Sequence, residues 1–346
     1  MSDRLAAMVK SALDNGLRGR PTPLILLMEP THRCNASCPF CYHWQEDTHE
    51  EISIERQEEM LHEAFDLGAR FLYVSGGEPT LFPHLERLLM EARRVGYWTS
   101  MTTNGFTLAR RVDALAPLLD GVTVSVDHAS SLHDTFRRLP GLYSHAVRGL
   151  IAAKTAGLET RINMSLGRSN RDQIPAMVTL SRDVGAALHV RLLTRESPDV
   201  EADALSWPEA RKAATEILEL KERHPRIIAT PKAYLRHIRD ERGFRCRLLS
   251  LLITVDAQGR LYVPCPRFEG AKETLAGRLK EQSLEEAWHS PQADVLRAQG
   301  LSCTAGLDCY TSCILDISLL ANLSPEMLWE QLFGGGSLLS YFRGGG

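Results

Sequence analysis

A repeated alternation of short apolar segments and amphipathic helical segments, between residues 24 and about 220, most constrains the fold of this 346-residue chain. The apolar segments are rich in Val, Ile, Leu, Thr and aromatic residues and have the lengths of strands. Strands that alternate with helices pair in parallel through right-handed crossovers. The predicted strands are Leu24–Glu29, Phe71–Val74, Trp98–Thr102, Val122–Val126, Thr160–Leu166 and Leu188–Leu193.

The segments between these strands carry the start and stop signals of helices. Ser53 is a suitable N-cap for a helix that Gly68 ends, and Pro83 opens a second helix that Gly96 ends. Six strand–helix units predict an α/β fold, namely an open, partial (βα)6 TIM-like barrel rather than a closed barrel of eight strands. A doubly wound open sheet is the alternative that periodicity leaves open. In a barrel, catalytic residues lie at the C-terminal ends of the strands.

After about residue 222 the alternation stops, and a small α+β domain is predicted. The turn signal Asp256–Gly259 lies between the apolar segments Leu249–Val255 and Arg260–Val263 and predicts a β-hairpin. A short helix is predicted from about Ser283 to Trp288. The predicted divisions are an N-terminal helix (1–21), the barrel (22–222), the small α+β domain (223–323, with a connector over 224–243), and a C-terminal helix with a flexible tail (324–346).

The charge and the apolar pattern of the chain exclude several classes of function. A net charge of −3 gives no electrostatic attraction for nucleic acid. The longest purely apolar stretch near the start, Leu24–Met28, is too short for a membrane span or for the core of an export signal. Eight cysteines without an export signal indicate a reducing compartment, so we predict a cytoplasmic protein whose clustered cysteines bind metal.

Three cysteines lie together directly after the first predicted strand, in the spacing Cys34-x3-Cys38-x2-Cys41. Three thiolates on one loop are able to hold three irons of a cubane cluster and leave the fourth iron open. The alternatives are a zinc knuckle or buried cysteines without a ligand. The cysteines alone do not decide between these alternatives, whereas the residues around them do.

The segment Cys34–Cys41, with the aromatic Phe40 before its third cysteine, resembles the signature of the radical S-adenosylmethionine (SAM) superfamily. At the end of the second strand, Ser75–Pro79 resembles the glycine-glycine-glutamate motif of that family. The ends of the third and fourth strands, Thr102–Gly105 and Ser125–Asp127, resemble its SAM-contacting positions. The resemblance implies that the three cysteines hold a catalytic [4Fe–4S] cluster that binds SAM.

The resemblance also implies roles in SAM binding for single residues. Its glycines would let the backbone approach the amino group of SAM, whose ammonium would pair with the carboxylate of Glu78. Asn163 and Ser165 on the fifth strand are assigned to the ribose, and Arg137 to the SAM carboxylate. His128, where many relatives carry glycine, is interpreted as a loop residue, with a substrate contact as the alternative. The predicted SAM site comprises Phe40, Tyr42, Gly76, Gly77, Glu78, Thr103, Asn104, Ser125, Asp127, Arg137, Asn163 and Ser165.

Five further cysteines lie in the C-terminal part of the chain, namely Cys246, Cys265, Cys303, Cys309 and Cys313. Their spacing around the predicted hairpin resembles the twitch or SPASM-like auxiliary domain of radical SAM enzymes. That resemblance implies a second, auxiliary [4Fe–4S] cluster, with Cys246, Cys265 and Cys313 as the first ligands and Cys309 or Cys303 as the fourth. A structural zinc site is the alternative.

The reaction implied by the resemblance begins when the reduced cluster cleaves SAM to a 5′-deoxyadenosyl radical, which takes a hydrogen atom from the substrate. An external one-electron reductant such as flavodoxin or ferredoxin would supply the electron. Residues 1–23 leave no room for a cobalamin domain or a peptide-leader-binding domain before the first strand. We therefore expect a small-molecule substrate of specialised metabolism, such as a sugar, nucleoside or aminocyclitol, that is oxidised, decarboxylated or epimerised.

Two other functions stay open beside this expectation. One is a radical SAM maturase of a ribosomally made peptide, and the other is a non-enzymatic iron–sulfur or zinc protein. Polar residues near the end of the sixth strand, Arg191, Arg195 and Glu196, are predicted to line the substrate pocket, with solvated loop charges as the alternative. Such a pocket wall suits an anionic or polyhydroxylated substrate.

Overall fold

Parallel strands form the centre of the molecule in the computed structural model, which describes residues 3–41, 43–45, 50–193, 203–265, 275–303, 318–319, 322 and 324–327. In these residues, one nine-stranded sheet has the strand order β6-β5-β4-β3-β2-β1-β7-β8-β9. Strands β1 to β7 are parallel, whereas β8 and β9 run antiparallel to their neighbours. The strands are β1 (Ile25–Met28), β2 (Phe71–Val74), β3 (Trp98–Thr103), β4 (Gly121–Ser125), β5 (Glu159–Leu166), β6 (Ala187–Leu192), β7 (Leu252–Val255), β8 (Arg260–Tyr262) and β9 (Leu275–Arg278).

Helices follow the parallel strands, as the crossovers of an α/β fold require. None of the described helices is long and apolar enough to cross a membrane. The helices are α1 (Asp3–Gly16), α2 (Ile54–Leu67), α3 (Leu85–Val95), α4 (Leu108–Leu115), α5 (Leu132–Arg137), α6 (Leu142–Thr155), α7 (Ile174–Val184), α8 (Trp207–Arg223), α9 (Lys232–Arg239), α10 (Leu248–Leu251), α11 (Leu284–Trp288) and α12 (Pro291–Leu301).

The predicted open α/β barrel is confirmed, and the local signals that predicted it have the expected physical roles. The side chain of Ser53 accepts the N–H of Arg56 at the start of α2. Gly96 and Gly185 end α3 and α7 in the left-handed conformation, where a Cβ is unfavourable. The second helix begins at Leu85 rather than at the predicted Pro83.

The two faces of the sheet differ in polarity, because successive side chains along a strand point to opposite faces. On β5 and β6, Ile162, Met164, Leu188 and Val190 are completely buried in the apolar core. Most of the intervening residues of these strands are polar and only partly buried, and they lie on the concave face, which we call the lumen. The lumen residues of β5 and β6 include Arg161, Asn163, His189 and Arg191.

The C-terminal segment differs from its prediction in how it joins the barrel. The hairpin predicted around Asp256–Gly259 is present, but β7 pairs in parallel with β1, so the hairpin continues the barrel sheet. Leu248–Leu251 is helical, although this segment was predicted as the start of a strand. The predicted connector contains α9, and α12 follows the predicted short helix. The domain boundaries remain a prediction.

Candidate active site

The loop that carries Cys34, Cys38 and Cys41 follows β1 directly, at the C-terminal ends of the parallel strands. Cys38 is buried, and the other two cysteines are half-buried. Two contacts fold the loop back on itself, because the N–H of Cys41 and the indole Nε1 of Trp44 both donate to the Cys38 carbonyl, at 3.1 and 2.8 Å. The sulfur of Cys38 lies 4.0 Å from Nη1 of Arg137. The loop therefore presents three thiols from one short segment.

The electrostatic environment of these thiols fits a cationic iron–sulfur cluster. Burial, with smaller contributions from Glu78, Cys38 and Cys41, raises the pKa of Cys34 to about 12. Burial likewise raises the pKa of Cys41 to about 11, with Cys38 adding to the effect. Three dehydrated thiolates that interact electrostatically are unfavourable unless a metal compensates their charge. The donor set suits the three-cysteine ligation of a [4Fe–4S] cluster.

Gly76 and Gly77 pack against the segment that enters the cysteine loop. A Cβ on Gly77 would lie 2.3 Å from the carbonyl oxygen of Arg33, and a Cβ on Gly76 would lie 2.6 Å from that of Thr31. The N–H groups of Gly77 and Glu78 donate to these same two carbonyls, Thr31 and Arg33, at 2.9 and 2.8 Å. This contact gives a reason for the glycines beyond the predicted approach of SAM: they allow two backbone segments to touch.

Replacing Gly77 with alanine should displace the cysteine loop and lower the iron content after anaerobic reconstitution. The new Cβ would overlap backbone atoms that have no room to move, and such overpacking destabilises by about 1–3 kcal/mol. Gly243→Ala is the matched control, because a Cβ at Gly243 meets nothing within 4 Å. Equal iron content in the two variants would contradict the close packing of this segment on the loop.

Glu78 is almost completely buried, and its carboxylate is held in place by neighbouring residues. Oε1 accepts hydrogen bonds from the hydroxyls of Thr80 and Thr103, both at 2.6 Å. Oε2 accepts the N–H of Asn104 at 2.7 Å. The structure thus brings three predicted site residues, Glu78, Thr103 and Asn104, into one network. A carboxylate fixed in this way is a preorganised acceptor for an ammonium group.

Asn104 extends this network to the cysteine loop. Its Nδ2 donates to Oδ1 of Asn35 at 2.7 Å, and its Oδ1 accepts the N–H of Phe106 at 2.9 Å. Asn35 lies beside Cys34, so the end of β3 is connected through two side chains to the first cysteine. The sequence motif indicated Asn104 but gave no sign of Asn35 as its partner.

Asp127 and Arg137 form a buried ion pair beneath the loop. Nε of Arg137 lies 2.5 Å from Oδ2 of Asp127, and both side chains are at least 90% buried. Burial alone would lower the pKa of Arg137, but Asp127, Cys38 and Cys41 together outweigh this effect and raise it. Oδ1 of Asp127 accepts the N–H of Ser165 at 2.8 Å. Asp127 therefore connects β5 to the arginine that lies beside Cys38.

Asn170 is a completely buried residue that sequence reasoning missed. Its Nδ2 donates to the carbonyls of Asp127 and Ser165, at 3.2 and 2.9 Å, and its Oδ1 accepts the N–H of Gly167. It thereby joins the ends of β4 and β5. A single asparagine after a strand belongs to no distinctive motif and is therefore not recognisable from the sequence. Ser125 is buried at the end of β4 and pairs across the sheet with Asn163.

An aromatic cluster lies between the cysteine loop and the segment after β4. The ring centroid of Phe136 lies 5.0 Å from that of Phe40 and 5.2 Å from that of His128. The guanidinium of Arg137 lies 5.4 Å from the centroid of Phe40. His128, predicted as a loop residue, is buried, and burial lowers the pKa of its imidazole. His128 is therefore part of the packing around the loop.

A second group of buried polar side chains comprises Glu29, His32 and His43, whose ligand atoms lie within 4.8 Å of one another. Nε2 of His43 lies 3.5 Å from Oε1 of Glu29, and Nε2 of His32 lies 3.9 Å from Oδ2 of Asp256. Because Asp256 follows β7, the contact of His32 joins the start of the cysteine loop to the C-terminal hairpin, whereas His43 joins the end of the loop to Glu29.

Of the C-terminal cysteines, the structure describes Cys246, Cys265 and Cys303. Burial raises the pKa of Cys246 to about 11, and the nearby Cys265 and Cys303 raise it further, so these three thiols lie close together. Cys303, which was ranked behind Cys313 as a ligand, is thus among the cysteines that the fold brings together. The predicted residues Tyr42, Arg195, Glu196, Cys309 and Cys313 lie outside the described residues.

A cavity of about 370 Å³ opens at the opposite end of the strands from the cysteine loop. Its lining includes Lys154, Glu159, Arg161, Arg182 and Arg226. The predicted site residues at the C-terminal strand ends do not line it, so we do not assign the radical chemistry to this cavity.

Comparison with known proteins agrees with this site. The sequence pattern of the radical SAM superfamily matches residues 28–180, and that of the SPASM iron–sulfur cluster-binding domain matches residues 246–313. Pre-heme d1 synthase from Dinoroseobacter shibae is 29% identical over 172 residues, which are 49% of this chain and 42% of that protein. PqqA peptide cyclase from Streptomyces rochei is 32% identical over 168 residues, 47% of this chain and 46% of that protein. The match thus spans less than half the length of these two curated relatives.

The fold is similar to that of SuiB from Streptococcus suis, which has been solved with S-adenosylmethionine and with the precursor peptide SuiA. The SAM-bound structure has a TM-score of 0.69 and 20% sequence identity, and the match covers 91% of this chain and 77% of that chain. The peptide-bound structure has the same TM-score. At this identity the likeness establishes the fold alone.

Proposed function

This chain is a radical SAM enzyme with a C-terminal SPASM iron–sulfur cluster-binding domain, and we propose that its substrate is a ribosomally made peptide. The observation that carries the proposal is the likeness to two proteins named for peptides: PqqA peptide cyclase in sequence, and SuiB with its bound precursor peptide in fold. The proposal replaces the expectation of a small-molecule substrate, which depended on the short segment before β1.

The contacts of the site support a separate role for each of several residues. The [4Fe–4S] cluster, when bound by Cys34, Cys38 and Cys41, supplies the electron that cleaves SAM. Glu78 would receive the SAM ammonium, because its carboxylate is buried and already oriented by two hydroxyls. Arg137 would bind the SAM carboxylate. It lies beside Cys38, and its ion pair with Asp127 orients its guanidinium.

The shared sheet supports a functional connection between the two iron–sulfur sites. The N–H of Glu29, at the end of β1, donates to the carbonyl of Val255 at 2.9 Å, and the N–H of Ile52 donates to that of Ala257 at 2.8 Å. The segments that flank the cysteine loop are therefore bonded to the hairpin that lies between Cys246 and Cys265. In the proposed function, Cys246 and Cys265 would help to hold an auxiliary cluster, which would supply an acceptor for the electron left on the peptide after hydrogen abstraction.

A second candidate function is the modification of a tetrapyrrole. It is favoured by the sequence likeness to pre-heme d1 synthase, which is comparable in identity and extent to the likeness to PqqA peptide cyclase. The two functions differ in a measurable way, because only one of them changes the mass of a peptide.

Co-expression of the chain with each short reading frame beside its gene should yield one peptide that has lost hydrogen atoms, as measured by mass spectrometry. Radical abstraction followed by oxidation removes two hydrogen atoms per new bond, so the loss appears in pairs. The Cys38→Ala variant is the control and should leave the peptide unchanged. If every peptide keeps its mass while the purified enzyme changes the mass of an added porphyrin, the tetrapyrrole function is correct and the peptide proposal is wrong.

A further inference from the structure

The lumen wall formed by β5 and β6 contains charged side chains that neither the cluster nor the SAM network uses. The cross-strand pairs on this wall are Asn163 with His189 and Ser165 with Arg191. The side chains that alternate with them face the apolar core on the other side of the sheet. Arg191 therefore lies in the lumen, level with Ser165 at the end of the strand where the cysteine loop is found.

The other positively charged groups near this wall have polar partners in the chain. Glu159 and Tyr73 interact electrostatically with Arg161. The ammonium of Lys221 donates to the carbonyls of Ile228 and Thr230, at 3.2 and 2.8 Å. Arg137 is paired with Asp127 at 2.5 Å.

Arg191 is different, because its buried Nε has no hydrogen-bond partner within the described part of the chain. The adjacent His189 is not an anionic partner for Arg191. Burial, together with the positive charges of Arg161 and Arg191, lowers the pKa of His189 to about 3, so this imidazole is neutral. Its Nδ1 lies 3.2 Å from Oδ1 of Asn163.

A buried Nε–H group without an acceptor is unfavourable unless a ligand supplies one. A carboxylate is the matching group, because its two oxygens accept two parallel N–H bonds from arginine. We propose that Arg191 binds a carboxylate of the peptide substrate, namely an acidic side chain or the C-terminus, and so positions it in the lumen near the SAM site. This inference rests on the proposed function, since it names the chemical class of the group that this site receives.

The test uses two capped tripeptides, acetyl-Ala-Glu-Ala-amide and acetyl-Ala-Gln-Ala-amide, which have nearly the same shape and differ in charge. Their binding to the reconstituted, SAM-loaded holoenzyme without reductant is measured by ligand-observed NMR. The wild type should bind the Glu peptide about tenfold more tightly than the Gln peptide, as expected for a charge-assisted hydrogen bond. Arg191→Gln should remove this preference, and Arg191→Lys should keep part of it. Arg223→Gln, an exposed arginine of α8, is the matched control and should keep the full preference.

A preference that persists in Arg191→Gln, or that is absent from the wild type, overturns the inference. If Arg191→Gln weakens SAM binding and leaves the peptide preference intact, the carboxylate belongs to SAM, and the inference is again wrong. Folding is checked by the urea midpoint, which should not fall in Arg191→Gln, because Nε of Arg191 has no hydrogen bond within the described residues that the substitution would break. If the preference depends on Arg191 but the enzyme changes no peptide during co-expression, the inference is supported. In that case only the proposed function is contradicted.

Discussion

Replacing Cys38 with alanine should abolish the formation of 5′-deoxyadenosine by the reduced, reconstituted enzyme. Cys38 is the most buried of the three loop cysteines, and its carbonyl anchors the fold of the loop. Without its thiolate, a cubane cluster loses one of three protein ligands. The product is measured by chromatography after incubation with SAM and dithionite. We expect no product above the level of a reaction without enzyme.

The control for Cys38→Ala is Ser37→Ala, which changes the neighbouring loop residue without removing a sulfur. Ser37→Ala should retain SAM cleavage. Iron analysis adds a second measurement, because a chain with two [4Fe–4S] clusters holds about eight irons and a chain without the loop cluster about four. If Cys38→Ala still forms 5′-deoxyadenosine at the rate of Ser37→Ala, the assignment of the loop to the catalytic cluster is wrong.

Replacing Asp127 with alanine should destabilise the folded protein by about 3–5 kcal/mol, because the substitution leaves the charge of Arg137 buried without its partner. A further contact is lost with the carboxylate, because Oδ1 no longer accepts the N–H of Ser165. The urea midpoint under anaerobic conditions measures the change. A fall in SAM affinity should accompany it, since the position of Arg137 depends on this pair.

An exposed ion pair provides the comparison for Asp127→Ala. Arg171 and Glu216 lie 3.1 Å apart, with 25% and 41% of their side-chain surfaces exposed. Because water screens such pairs, Glu216→Ala should cost about 0–1 kcal/mol. Equal midpoints for Asp127→Ala and Glu216→Ala would show that the Asp127–Arg137 pair does not support the fold as we infer.

Much of the barrel and of the cysteine loop was predictable because their signals are local. Each strand is an apolar segment of few residues, and Ser53, Gly96 and Gly185 cap helices through contacts within one turn. The parallel order of β1 to β6 then follows from the alternation of strands and helices. The spacing of the three cysteines and the motif at Glu78 also lie in short, contiguous segments.

The tertiary structure decided the features that depend on contacts between distant segments. Gly77 must be glycine because Arg33, 44 positions earlier in the chain, passes within 2.3 Å of where its Cβ would lie. Asn170 belongs to the site because the fold places the ends of β4 and β5 side by side, where its side chain donates to the carbonyls of Asp127 and Ser165. The pairing of β7 with β1 joins segments more than 200 positions apart and extends the barrel sheet into the C-terminal segment. Hydrophobic periodicity records which face of a strand is buried, but it carries no information about which distant residue a buried polar atom will meet.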